Sequence, residues 1–223
     1  MSRRPITVTL SAPYGAGGGV IGPQLADRLG IPFHNRAIPA TVSAELGVEL
    51  ESVLPHDGQA ETGLRRLLSV AARLPSSPLG DAELAALILS QVDETVIAEH
   101  TASVVRHIAD GDGGVILGRA GAAILAGHPR ALHVRLQGPK EARIQHAMKL
   151  AGISEEVARD RQRRVDTARA AYVKRLYGQD SRDVKLYHVV LDSSAISWDA
   201  CVDALYDVAL DWASRLGPAA PPQ

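Results

Sequence analysis

Ile6-Thr-Val-Thr-Leu10-Ser11-Ala-Pro-Tyr-Gly15-Ala-Gly17-Gly-Gly19, running on into Val20 to Leu29, decides the fold of this chain. Ile6 to Leu10 is short, β-branched and bounded by Pro5 and the glycines, which predicts a strand feeding a glycine turn. Ile21, Leu25 and Leu29 lie four residues apart, so Val20 to Leu29 reads as a helix with one apolar face and Gly30 as its stop. Strand, glycine turn and helix make the first half of a βα unit. At such a junction the backbone N–H groups and the positive end of the helix converge, and an anion fits there. Glycine allows the positive φ and close approach that this geometry needs.

The rest of the chain continues the alternation. Pro32 to Arg36, Gly114 to Gly118, Ala131 to Leu136 and Tyr187 to Leu191 are brief runs bounded by Gly, Pro or turn residues, as buried parallel strands usually are. Helices are predicted for Lys140 to Ala151, with Pro139 at the first helical position and Gly152 beyond the end, and from Ser154-Glu-Glu into an arginine-rich stretch. A last helix runs from Trp198 to Leu216 behind a Ser197 cap. The fold class expected is α/β, a three-layer open parallel sheet of about five strands with right-handed crossovers. One domain is expected over 1–223, with a helical insertion over about 44–110, a lid over about 153–182 and a disordered tail over 217–223.

Composition removes several alternatives. The 223 residues are 46% hydrophobic, enough for a core, and 24 basic against 25 acidic side chains leave no global basic field for nucleic acid. Of the basic residues 20 are Arg and 4 are Lys, so an anion site would use planar guanidinium forks. The single Cys201 cannot form an internal disulfide, and the histidines show no HExxH spacing. Neither Ser193 nor Ser194 sits in a G-x-S-x-G elbow. No stretch reaches the roughly 20 apolar residues of a membrane helix. The cytoplasm is the expected address.

Compared with the phosphate-binding pattern G-x-x-x-x-G-K-[ST], Gly17 matches the second Gly, Gly18 replaces the Lys and Gly19 replaces the hydroxyl residue. Cations could come instead from Arg159 to Arg169. On a helix Arg161, Val165, Arg169 and Tyr172 approach one face, with Arg164 beside it, and such a face could clamp phosphates as a lid closes. The same pattern suits a solvated helix in which Asp160 and Asp166 pair locally with Arg163 or Arg164 and with Arg169.

The first strand with Leu29-Gly-Ile-Pro-Phe33, the Gly118-Arg-Ala120 after a strand, Val165-Asp-x-x-Arg169-Ala-x-Tyr172 and Leu191-Asp-Ser-Ser194 occur in the order seen in the cytidylate kinase-like family, which the chain resembles over most of residues 6 to 212. The resemblance implies the P-loop nucleoside monophosphate kinase fold and ATP-dependent phosphoryl transfer to a monophosphate such as cytidylate. It implies that the backbone of Gly15, Ala16, Gly17, Gly18 and Gly19 cradles ATP, and that Arg161, Arg164 and Arg169 neutralise the transferring charge. Arg36, Arg119, Asp166 and Tyr172 would hold the acceptor. Mg²⁺ would accompany ATP, with no protein ligand assigned. The sequence departs from the family at Gly19, where an Arg is usual, at Ala120, where the Arg is usually followed by Asp, and at Asn35, also usually Asp. The missing lysine, the missing hydroxyl after it and the missing family Arg support a second reading, a nucleotide-binding or regulatory protein that has lost or nearly lost catalysis. In a third, the Arg159 to Arg175 strip meets nucleic acid, although only Tyr172 and Tyr177 supply aromatics there.

Overall fold

The computed structural model describes residues 5–34 and 94–216. Five strands form one parallel sheet in the order β2-β3-β1-β4-β5: β1 Thr7–Ser11, β2 Phe33–His34, β3 Gly114–Leu117, β4 Ala131–Gln137 and β5 Val189–Asp192. β1 is central, pairing with β3 through Thr7↔Gly114 to Leu10↔Leu117 and with β4 through Thr7↔Ala131 to Ser11↔Arg135. The chain runs to one side of β1 for β2 and β3 and to the other for β4 and β5. That reversal opens a crevice at the carboxyl end of β1, where ligands of open α/β sheets sit.

The described helices are α1 Gly18–Leu29, α2 Glu94–Asp110, α3 Gly121–Ile124, α4 Lys140–Ala151, α5 Glu155–Tyr177 and α6 Trp198–Arg215. Strand alternation sorts side chains to two faces. On one face Val8, Leu10, Val115, Leu132, Val134 and Leu136 pack with Ile21, Leu25 and Ala26 of α1 and with Cys201, Val202, Leu205 and Ala209 of α6. On the other, Ile116 and Ala131 meet Ala102, Val105 and Ala109 of α2, Ile124 of α3 and Leu125 at its C-cap. Each large apolar side chain removed from water in this way contributes about 1.5–3 kcal/mol, so the two cores, not helix propensity, hold the layers together.

The helix ends follow their residues. Gly30 closes α1 at φ 66 with its N–H on Ala26 O and Asp27 O. Ser154 caps α5 through Val157 N, and Ser197 caps α6 through Ala200 N. Pro139 lies one residue outside α4 as its N-cap, at ψ 142, so Lys140 takes the first helical position expected for the proline. Of the insertion expected over 44–110, the described part is the single helix α2; the remainder, with Arg36 and the tail over 217–223, lies outside the described residues. Among the described residues no helix is long and apolar enough to cross a membrane.

Candidate nucleotide site

The turn from β1 to α1 carries Gly15 and Gly17, both at φ 77, with Gly17 as the N-cap of α1. Ala16 N donates to Pro13 O at 3.1 Å, while Val20 N and Ile21 N both donate to Gly17 O. The N–H groups of Gly15, Gly17, Gly18 and Gly19 make no hydrogen bond among the described residues. Four uncommitted amides thus stand at a helix N-terminus, which carries about half a positive charge and suits an anion.

The glycines differ in the room they leave. A β-carbon on Gly15 would come within 2.0 Å of the Arg143 carbonyl oxygen, and one on Gly17 within 2.7 Å of the Trp198 indole. At Gly18 it would meet Ala12 Cβ at 2.6 Å and Leu117 Cδ1 at 2.9 Å, so Ala12 and Leu117 fill the space a side chain at the lysine position would need. Gly19 faces open space.

The arginines expected to gather at this loop divide. Arg169 reaches it: its Nη1 donates to Ala12 O at 2.8 Å. Loss of hydration lowers the pKa of that guanidinium, and the Asp166 charge acts the other way. Arg164 and Arg163 pair instead with Asp160, the latter at 3.3 Å, and Arg161 is exposed on α5. Asp166 is turned to the loop, accepting Tyr14 N–H at 2.8 Å, Gln162 Nε2 at 2.7 Å and Arg143 Nη1 at 2.9 Å. Tyr172 is buried, its ring 6.1 Å from that of Tyr177. Arg119 follows β3 in a left-handed run of Gly118 at φ 74, Arg119 at φ 54 and Ala120 at φ 54. Two consecutive non-glycine residues in that region cost about 1–3 kcal/mol each and mark the turn as a constrained one. Its charge also adds to the burial that holds the His34 pKa below the ordinary histidine value.

Several residues at the site carry no sequence motif. Arg143 of α4 is buried, with Nη1 also on Tyr14 O at 2.5 Å and Nε on Gly138 O at 3.1 Å. Ser193, fully buried, donates from Oγ to Ala16 O at 2.8 Å. Arg135 of β4 bonds Ser11 Oγ at 3.3 Å and Ser181 O at 2.6 Å. An arginine one turn from Ala147 and next to Ile144, on the apolar side of α4, was the available signal for Arg143; nothing in the sequence marked Ser193.

Beside the loop an open cleft of about 420 Å³ lies between α4 and the start of α6, lined by His146, Lys149, Leu150, Ile196, Ser197 and Trp198. The His146 and Trp198 rings meet edge to face at 5.4 Å. His146 Nδ1 and Trp198 Nε1 are buried and without a hydrogen-bond partner among the described residues. Asp192, the nearest acid to this edge in sequence, has its Oδ1 engaged by Ser194 N, Ser194 Oγ and Ala195 N, and these bonds lower its pKa. Among the described residues no three His, Cys, Asp or Glu side chains gather where they could hold a metal ion.

A model of the cytidylate kinase-like family matches residues 7–195. Among curated proteins the chain is 24% identical over 184 residues to a uronate isomerase of Corynebacterium glutamicum. The match covers 75% of this chain and 35% of that protein, so this chain spans about a third of that relative's length. Among solved structures it resembles an uncharacterized protein from Eubacterium ventriosum, with a TM-score of 0.61 and 17% identity over 92% of this chain and 98% of that one. A shikimate kinase from Acinetobacter baumannii, solved in complex with shikimate, gives a TM-score of 0.46 at 13% identity, covering 94% of this chain and 95% of that one. Five parallel strands in α/β layers, a glycine loop leading into α1 and a family match over most of the sequence agree, and the chain belongs to the cytidylate kinase-like family.

Proposed function

We propose that this protein binds a nucleoside triphosphate at the β1–α1 turn and transfers its terminal phosphoryl group to a nucleoside monophosphate, with cytidylate the acceptor the family suggests. The observation that carries the reading is the set of uncommitted N–H groups at Gly15, Gly17, Gly18 and Gly19, aligned with the end of α1. Phosphoryl transfer needs positioning and charge stabilisation more than covalent chemistry, so a backbone cradle supplies a large part of it. The cleft at His146 and Trp198 adjoins the loop through the Trp198–Gly17 contact and would take the base of the donor. Arg119, in its left-handed turn at the carboxyl edge of β3, is the acceptor-side cation in this reading. Mg²⁺ would enter with the triphosphate, held by phosphate oxygens and water, since the described residues present no acidic cluster for it.

One observation favours nucleotide binding without turnover. The usual lysine is absent, and Ala12 and Leu117 crowd even a β-carbon at Gly18, so a side chain there would force its neighbours to shift. Removing one preorganised donor of transition-state charge costs about 2.7–4 kcal/mol, or roughly 10²–10³ in rate. A coupled assay with ATP, Mg²⁺ and a panel of nucleoside monophosphates separates the two. Turnover with one acceptor supports transfer. No turnover, with ATP still raising the melting temperature, supports binding alone, and absence of both ends the nucleotide reading.

A further inference from the structure

Taking the loop as the polyphosphate site, we propose that Arg143 and Ser193 are positioning residues that aim the amides of Gly15 and Gly17 into an anion nest. A trans peptide unit is planar, so its C=O and the N–H of the following residue point in opposite directions. Whatever holds the carbonyl on one side of the loop therefore turns the next amide to the other side.

Two carbonyls of the turn are held in this way. Tyr14 O accepts from Arg143 Nη1 at 2.5 Å, and the amide that follows is Gly15. Ala16 O accepts from Ser193 Oγ at 2.8 Å, and the amide that follows is Gly17. Both are among the four uncommitted N–H groups, and both glycines stand at φ 77.

Each holder is itself fixed. Arg143 is buried, and Nε on Gly138 O together with Nη1 on Asp166 Oδ2 settles the direction of its guanidinium. The other oxygen of Asp166 takes the Tyr14 N–H, so the ion pair grips Tyr14 at its amide and its carbonyl. Ser193 is wholly buried directly after β5, within reach of Gln137 O at 3.2 Å as well. The nest is thus set from α4, α5 and the end of β5, none of them adjacent to it in sequence. An arrangement that served stability alone would need no such correspondence between held carbonyls and free amides.

The test uses Ser193→Ala, which deletes one small hydroxyl, and Arg143→Lys, which keeps charge but cannot serve three acceptors in one plane. Amide resonances of the full-length protein and ATP affinity by calorimetry are read for both. The expected result is residue-specific: Ser193→Ala shifts the Gly17 amide and Arg143→Lys the Gly15 amide. ATP binding weakens roughly tenfold for the serine variant and by up to about 10²-fold for the arginine variant, the range expected when an amide loses its hydrogen bond to a charged phosphate. Should Arg143→Lys not fold, Ser193→Ala alone decides. Wild-type protein that binds ATP, with Ser193→Ala binding it equally or leaving the Gly17 amide unmoved, overturns the positioning roles. Wild-type protein that binds no ATP overturns the polyphosphate reading and this proposal together.

Discussion

The indole of Trp198, at the start of α6, lies against the α-carbon of Gly17 at the start of α1, so closely that a β-carbon there would meet Trp198 Cε2 at 2.7 Å and Nε1 at 2.8 Å. Gly17 also stands at φ 77, where an L side chain costs about 1–2 kcal/mol before any clash is counted. Gly17→Ala is expected to lower stability by more than about 2 kcal/mol in urea denaturation. Gly19→Ala, with nothing within 4 Å, should be neutral or slightly stabilising because glycine is a poor helix former. Equal losses in the two variants would contradict this account of the loop.

The crowded position at Gly18 and the open one at Gly19 should also differ in function. Gly18→Lys restores the usual residue of the motif, yet Ala12 and Leu117 occupy its path, so it should lower the melting temperature without raising turnover. Gly19→Arg enters open space beside the nest and should fold like the wild type. A hydrogen bond to a charged partner is worth about 1.5–3 kcal/mol, so ATP affinity should rise by roughly tenfold or more. Calorimetric titration of both variants with ATP checks the pair; tighter binding by Gly18→Lys would reverse the assignment.

Much of this fold was legible because local signals and burial agree. Ile6 to Leu10, Val20 to Leu29 and Ala131 to Leu136 fall within one or two residues of the observed elements, since β-branched runs, four-residue spacing and glycine stops all point the same way. Of the candidate site, the glycine turn over Gly15 to Gly19 was legible, because its form resides in the backbone. Side chains were harder to place, because a helix face fixes direction but not which partner competes for the group. Arg164 pairs with its neighbour Asp160, while Arg169 and Asp166 turn to the backbone of Ala12 and Tyr14. The Arg143–Asp166 pair joins residues 23 apart, and Ser193 reaches Ala16 across 177 positions. No spacing rule links such positions.

His133 gives the fold a pH dependence. Its Nε2 lies 3.2 Å from Leu125 O, an acceptor only, so Nε2 carries the proton and Nδ1 receives the Thr9 hydroxyl at 2.8 Å. His188 stacks on it at 4.9 Å, and its Nδ1 accepts the His133 amide. Burial first, then the His188 and His128 charges, push the His133 pKa down to about 4. In the unfolded chain it titrates near 6.5, so below that pH the unfolded state binds a proton that the native state refuses. Native stability should therefore fall from pH 6.5 towards 4, by about 2 kcal/mol between pH 7.5 and 5 from this residue. His133→Asn should flatten that part of the curve of urea midpoint against pH. The burial-lowered His188 leaves a smaller slope of the same sign. An unchanged slope in the variant would remove His133 as its source.

Arg164→Ala decides whether α5 contributes charge to catalysis. Arg164 is exposed and paired with Asp160 four residues earlier, an arrangement worth about 0.3–0.5 kcal/mol on a helix, so the melting temperature should scarcely move. If the guanidinium swings from Asp160 to a phosphoryl group when substrates bind, turnover should drop by roughly 10²–10³. Arg163→Ala is the matched control. It also pairs with Asp160, at 3.3 Å, but at 3.6 residues per turn it lies on the far side of the helix from Arg161, Arg169 and Tyr172. Loss of turnover confined to Arg164→Ala, with an unchanged melting temperature, identifies a phosphate clamp, because the two arginines share Asp160 and face different sides of the helix. Equal, small effects in both would return the strip to a solvated surface, leaving Arg169 and Arg119 as the cations to pursue.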